Sequence, residues 1–423
     1  MLAGVSGCAS SQSSKHPAGL TPDELAILAV DPGAAQVALN DEDRLAYLLG
    51  ANNGFGASSD QGTGLGKALE AATTVVRNRQ TDRQVNRLSD GNASGQVSAE
   101  IATKVFSILG QTQASADRMP TGLKASVSVI LADYMPDVYP SLLYPDTPID
   151  PSAGYRIDNE DFTYPPFGAL ITESELDNLM HSIGRDPDDV KIVGAGWVVA
   201  NRAFLGKQIG DECAPTDPGA EDLRVAYWHG RVGITPLVEP MQLSADVFNK
   251  VLQGAYAGSK SKLTREAYAA QMKKDILDIS SSVPITADRA VFWGADGAIQ
   301  AAIDYARTHP STLKTTVDWS EIENDKTDIQ RKALAQLVQV MYQCGFWDPD
   351  VISAYNQPPG QLPLPQVDWL ESPTDPRYPG LVNPDGTLDT TSPSYDHWIH
   401  FNVPTAEFSG YIRRAFIDVD AGS

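Results

Sequence analysis

Basic residues are in short supply in this chain: 32 Lys and Arg stand against 54 Asp and Glu in 423 residues, a net charge of −22. That balance excludes a nucleic-acid partner, because phosphate binding needs a basic patch and the release of counterions. The two local basic clusters, Arg77 to Arg87 and Lys260 to Lys274, fall on predicted helix faces with acids nearby and read as solvated surface. Long hydrophobic runs are missing as well. No apolar stretch reaches the roughly 18 residues that a membrane-crossing helix needs, so any membrane contact is expected through the N-terminus alone. Histidine occurs six times and cysteine three times. The His-Glu-x-x-His pattern that puts two imidazoles and a general base on one helix face is absent, which excludes the commonest kind of zinc hydrolase. So is the Gly-x-Ser-x-Gly nucleophile elbow, and neither Cys213 nor Cys344 carries a cysteine-protease signature.

Several fragments imitate catalytic motifs without completing them. Gly62-Thr63-Gly64-Leu65-Gly66-Lys67 has the glycines of a phosphate loop, yet the Walker spacing requires glycine at Gln61 and Ser or Thr at Ala68, and the dinucleotide fingerprint requires glycine at Lys67. It reads as a flexible lead into a helix. Ser259-Lys260-Ser261-Lys262 satisfies Ser-x-x-Lys without its companion elements and reads as a link between helices. Asp396-His397-Trp398-Ile399-His400 offers three potential metal ligands in a proline-rich setting that presets no geometry, and the reading set against a metal is surface or aromatic-packing histidines. Asn383 to Asp389 resembles half a calcium loop but lacks the bidentate Glu, so a type I turn held by Asn and Asp side chains is expected. With 54 acids, pairs of carboxylates carry no discriminating power. No catalytic residue, metal or cofactor is therefore assigned.

What the chain does have is helix. Thr21-Pro22-Asp23-Glu24 and Thr172-Glu173-Ser174-Glu175 are capping boxes, the second followed by Leu176, Leu179, Met180 and Ile183 at helical spacing. Apolar periodicity predicts further helices at Leu65–Val76, Ala99–Leu109, Leu123–Met135, Asp188–Leu205, Ala220–Trp228, Ser244–Tyr256, Thr264–Ile279, Ala287–Arg307, Ile322–Gln343 and Thr405–Val419. The expected fold class is mainly α: a multi-helix bundle body with a Pro/aromatic-rich extended C-terminal strap. The strap is residues 356–404, where prolines recur around Trp369, Tyr378, Trp398 and Phe401. That composition does not continue a helix, and its rings are expected to fill surface grooves. Residues 50–63 read as a Gly/Ser/Asn loop. The stretch 140–168, with Pro140, Pro145, Pro148, Pro151, Pro165 and Pro166, reads as a linker. The organisation is then a tether at 1–20, an N-terminal helical unit at 21–139, the linker at 140–168, a second helical region at 169–345, and the strap with a terminal helix at 346–423.

Val5-Ser6-Gly7-Cys8 has the form of a bacterial lipobox, small residues before a cysteine to be diacylated, with Ala9 to His16 as a flexible tether. Two acyl chains make a lasting anchor, since each buried methylene contributes about 0.8 kcal/mol. Only Met1-Leu2-Ala3-Gly4 precede the box, where a signal has a basic and then an apolar region, so this reading requires a longer signal upstream. The other reading is an ordinary Ser/Gly/Ala-rich terminus. With Cys8 assigned to lipid, Cys213 and Cys344 remain as an even pair. They are a disulfide candidate, which in the chain-entropy model contributes about 4–5 kcal/mol, or else two separate thiols.

Leu65-Gly66-Lys67-Ala68-Leu69-Glu70-Ala71-Ala72-Thr73, and Leu123-Lys124-Ala125-Ser126 through Ile130-Leu131-Ala132-Asp133-Tyr134-Met135-Pro136-Asp137, resemble an uncharacterised, mostly helical domain family of actinobacterial exported proteins, some near type VII-like secretion and polymorphic-toxin systems. The resemblance covers about the first 140 residues. It rests on helix-core patterns, so it implies an interaction or scaffold role and supplies no catalytic residue. The expected function is a non-enzymatic extracytoplasmic lipoprotein that binds a protein of an envelope or secretion apparatus, touching the membrane through its lipid only. The alternatives are an envelope hydrolase whose carboxylate or His/Asp site assembles in three dimensions, and the docking part of a toxin-related protein.

Overall fold

Thr21 opens the first helix through the reciprocal bonds its sequence predicts: its hydroxyl accepts from the Glu24 N–H at 3.3 Å, and the Glu24 carboxylate accepts from the Thr21 N–H at 2.7 Å. The computed structural model describes residues 19–50, 62–80, 95–143, 169–213, 223–230, 233–283, 295–356, 369–384 and 386–418. Among them every regular element is α-helical, and the one β-type pairing is an isolated antiparallel bridge between Val382 and Leu388.

Three short helices, α1 (Pro22–Leu28), α2 (Pro32–Leu39) and α3 (Glu42–Leu49), are capped in turn by Thr21, Asp31 and Asp41. They are followed by α4 (Thr63–Gln80), α5 (Gly95–Gly110), α6 (Gln113–Asp117), α7 (Thr121–Asp133) and α8 (Met135–Leu143). The glycine-rich stretch before Lys67 is not a flexible lead, because Gly64 and Gly66 lie inside α4. Gly66 packs against Ser126 of α7, where a Cβ would stand only 2.8 Å from the serine Cβ. Gly62, at φ +81°, makes the turn into the helix in a conformation other residues rarely adopt. These glycines let α4 and α7 approach closely. Pro136 starts α8 rather than merely ending α7, since a proline in the first turn costs no backbone bond. That helix carries Pro140 within it and runs into the stretch read as a linker; residues 144–168 lie outside the described set.

The second capping box forms at Thr172 and opens α9 (Glu173–Ile183), and then comes the longest helix, α10 (Pro187–Cys213). After it run α11 (Leu223–Trp228), α12 (Thr235–Gly258), α13 (Arg265–Ser282), α14 (Ala295–Thr308), α15 (Trp319–Gln343) and α16 (Pro349–Tyr355). Helix α10 is buried on every side, with Val190, Val193, Ala195, Trp197, Val198 and Leu205 all enclosed. A helix of that kind belongs at the centre, and α7, α8, α12, α13, α14 and α15 all pack on it. Trp197 stacks on Phe248 of α12 at 4.0 Å and donates its indole N–H to the Ser244 carbonyl at 3.1 Å. One continuous cluster of buried apolar side chains extends from Leu25 to Phe416.

The last segment differs from the expected strap. Residues 369–384 and 386–392 are non-helical, a series of tight turns, but Pro393–Asn402 is a helix, α17, followed by α18 (Thr405–Phe416). Proline density misleads here because position decides: Pro393 stands at the first helical position behind the Ser392 cap, and Pro404 lies beyond the end. Nor do the rings merely fill surface grooves. Trp398 and Tyr395 are fully buried, whereas Trp369 and Phe401 are exposed.

Four cations share one use. Lys104 donates to the carbonyl of Asn40 at the end of α2 (2.8 Å), Lys191 to His309 just past α14 (2.7 Å), Lys273 to Phe416 of α18 (2.7 Å) and Arg202 to Ser280 of α13 (3.0 Å). Each satisfies a carbonyl near a helix C-terminus, where the helix dipole favours positive charge. Lys273 is therefore buried, not part of a solvated basic face as the sequence pattern implied.

Asp189, buried in the first turn of α10, supplies a pH signature. Burial first, then the neighbouring Asp186 and Asp188, raise its pKa to about 7 against the opposing pull of Lys124. A carboxyl raised on folding binds its proton more tightly in the native state, so its contribution to stability is full below about pH 4 and is lost as pH rises through about 7. Asp189→Asn is expected to remove this component and make the protein more stable than the parent above pH 7, with the two converging near pH 4. Urea unfolding midpoints across pH 4–8 check it; parallel curves for parent and variant would contradict it.

Candidate functional site

Asn201 and Arg202 interrupt the apolar run of α10, and both are buried, Arg202 at 7% exposure. Its Nη2 donates to the Ser280 carbonyl at 3.0 Å, and its Nε has no partner. No carboxylate among the described residues pairs with the guanidinium, and burial alone pulls its pKa down to about 10. The compensation within the protein is the C-terminal end of α13 with its partial negative charge.

Around this cation lies a cavity of about 450 Å³. One wall is α10, a second is the end of α13 at Ser280–Val283, a third is α15 through Gln336 and Gln339, and the fourth is the turn carrying Asn383, Thr387, Leu388 and Asp389. The side chains are held by definite bonds. Ser244 donates its hydroxyl to Asn201 Oδ1, and Asn201 Nδ2 donates to Gln336 Oε1 at 2.5 Å. The Leu388 N–H donates to Gln339 Oε1 at 2.9 Å. Both glutamines thus use their oxygens, and Nε2 of each is left without a partner. The turn itself closes through Asn383 N–H to the Thr387 carbonyl at 2.8 Å, with Gly386 at φ +81°. On Asp389, Oδ1 accepts from the backbone and hydroxyl of Thr391 at 2.9 and 2.6 Å.

Chemically this is a recess around one buried guanidinium, with a single carboxylate, Asp389, among the described lining residues. A guanidinium in such a place holds and orients an acceptor.

The residues singled out from the sequence lie elsewhere. Cys8 is outside the described residues. Cys213 is the last residue of α10, its side chain likewise outside them, and Cys344 is buried at the C-cap of α15. Asp396 pairs with Arg331 at 3.0 Å on the surface, while His397 packs against Tyr378 and the edge of Phe401 at 5.7 and 5.3 Å. Among the described residues no group of three or more His, Cys, Asp or Glu side chains is placed to hold a metal. Ser259 to Lys262 link α12 to α13, with Ser261 accepting from the Leu263 N–H at 3.1 Å. Asn383 to Asp389 form the turn in the cavity wall.

The sequence reading did not reach Arg202, although a signal existed: a charged residue in the middle of a helix buried on all sides has no route to solvent. Fold and site together define a mainly helical body with a buried-arginine pocket. Compared with protein-family models, curated proteins and solved structures, the chain matches none.

Proposed function

We propose that this protein is a non-enzymatic binding protein of the cell envelope, held at the membrane by lipid on Cys8 and working through recognition. The observation that carries the binding reading is Arg202 in the wall of the cavity, a buried guanidinium whose hydrogen bond within the protein goes to the neutral Ser280 carbonyl. A buried charge lacking an ionic partner is costly, a cost that a ligand anion offsets. A hydrolase of the paired-carboxylate type needs two acids facing each other, and the described lining offers one. Trp319, Trp369 and Phe401, large and exposed, are the side chains presented to a protein partner of the envelope or secretion apparatus.

The envelope placement rests on Val5-Ser6-Gly7-Cys8. Expression of the gene with its upstream region, followed by mass measurement of the mature N-terminus, is expected to give a chain beginning at diacylated Cys8. An intact Met1 recovered from the cytosol would overturn the placement.

A further inference from the structure

We infer that the cavity at Arg202 binds a small organic monocarboxylate, with the carboxylate seated on the Arg202 guanidinium. The inference rests on reading the pocket as a binding site and adds the class of ligand.

Four observations converge on it. First, Arg202 is a buried cation without a counter-ion: its one hydrogen bond is to the neutral Ser280 carbonyl. A buried charge lacking an ionic partner is costly, and a planar guanidinium is the group that matches a carboxylate with two parallel N–H bonds. Second, the orientation of Gln339 is determined by its partner: the Leu388 N–H can only donate, so Gln339 turns its oxygen, the atom that would repel an anion, to the backbone. Third, the charge count selects a monoanion. Among the described residues the lining holds one cation, Arg202, and one carboxylate, Asp389; a dianion such as phosphate would face a single positive charge with a carboxylate in the same lining. Fourth, a cavity of about 450 Å³ falls within the roughly 300–1,000 Å³ of small-molecule sites. Asp389, together with Thr390 in the same wall, then receives hydroxyl or ammonium donors at the other end of the ligand, as in a hydroxy acid or an amino acid.

The test uses the full chain and five probes, acetate, L-lactate, L-alanine, phosphate and chloride, followed by thermal melting and calorimetric titration. A saturable rise in Tm with lactate or alanine, larger than with phosphate or chloride at equal ionic strength, is expected. Two substitutions assign it to the cavity. Arg202→Met removes an unpaired buried charge, so it is expected to leave the Tm of the protein without ligand equal or higher while weakening binding by about tenfold or more, the loss carried by a charge-assisted pair. Gln339→Glu keeps the acceptor for Leu388 and adds a carboxylate to the lining of the same cavity, and it is expected to abolish binding with the fold intact. No saturable response to any carboxylate overturns the inference. So does an equal response to phosphate or chloride, or full binding by Gln339→Glu. Mass analysis of the recovered ligand separates this from the broader reading: an altered ligand would end the non-enzymatic interpretation and leave the carboxylate site standing.

Discussion

Gly258→Ala is expected to destabilise the protein by about 1–3 kcal/mol or more, although the same change at Gly410 is expected to stabilise it. In an open helix the replacement of glycine by alanine gains about 0.5–1 kcal/mol, because glycine loses more backbone entropy on folding. Gly410 in α18 has nothing within 4 Å of the position its Cβ would take, so that gain is available. Gly258 closes α12 where it crosses α9, and a Cβ there would overlap the backbone carbonyl of His181. The crossing is made of such contacts. A Cβ on Gly184 would overlap the Ala255 carbonyl, and one on Gly254 would stand 2.8 Å from the Met180 Cβ. A flexible side chain could turn aside, but a carbonyl fixed in a helix ladder cannot, so the two helices must separate and release Leu179, Met180, Val251 and Ala255 from their burial. Urea midpoints of the two variants against the parent check it, and the expected signs are opposite. Equal and positive shifts would show that α9 and α12 are not in backbone contact.

The contrast between those two glycines also marks where sequence reading works. Thr21 and Thr172 were legible because a cap bonds to a residue three positions away, and both partners are in view together. Helices α4, α5, α7 and α9 to α15 were legible because a buried face repeats within one element, whereas α6 and α8 are too short or too proline-marked to show that repeat. Gly66, Gly254 and Gly258 were not, since glycine has the same letter whether it loosens a loop or admits a neighbouring helix. Helix α17 was missed by averaging prolines over 356–404, when only their positions relative to Ser392 and Val403 mattered. The Arg202 site is nonlocal throughout: its walls come from residues 202, 280–283, 335, 336, 339, 383, 384 and 387–390, which no spacing rule connects. The mid-helix charge at Arg202 was its single local trace.

Trp398→Ala is expected to cost about 3–5 kcal/mol and to loosen the cavity wall with it. The Trp398 ring is fully buried, its indole N–H donates to the Glu371 carbonyl at 3.1 Å, and its centroid lies 4.9 Å from Trp347. Trp347 in turn lies 5.5 Å from Trp228, whose N–H donates to the Phe346 carbonyl at 2.9 Å. These three tryptophans join α17, the residues after α15, and α11 in one line of aromatic contact. Truncating the end of that line leaves a large cavity and an orphaned Glu371 carbonyl, two penalties in one place. The consequence reaches further, because the segment held down by Trp398 also carries Leu388, whose N–H orients Gln339. Hydrogen exchange at the Leu388 amide is therefore expected to accelerate in Trp398→Ala by more than exchange at Leu205 in the middle of the body. Trp398→Phe separates the two causes, restoring most of the packing without the N–H. If it recovers the melting temperature but not Leu388 protection, the Glu371 bond positions the turn. If exchange at Leu388 is unchanged in both variants, the turn is held by α15 alone and the aromatic line contributes stability without shaping the pocket.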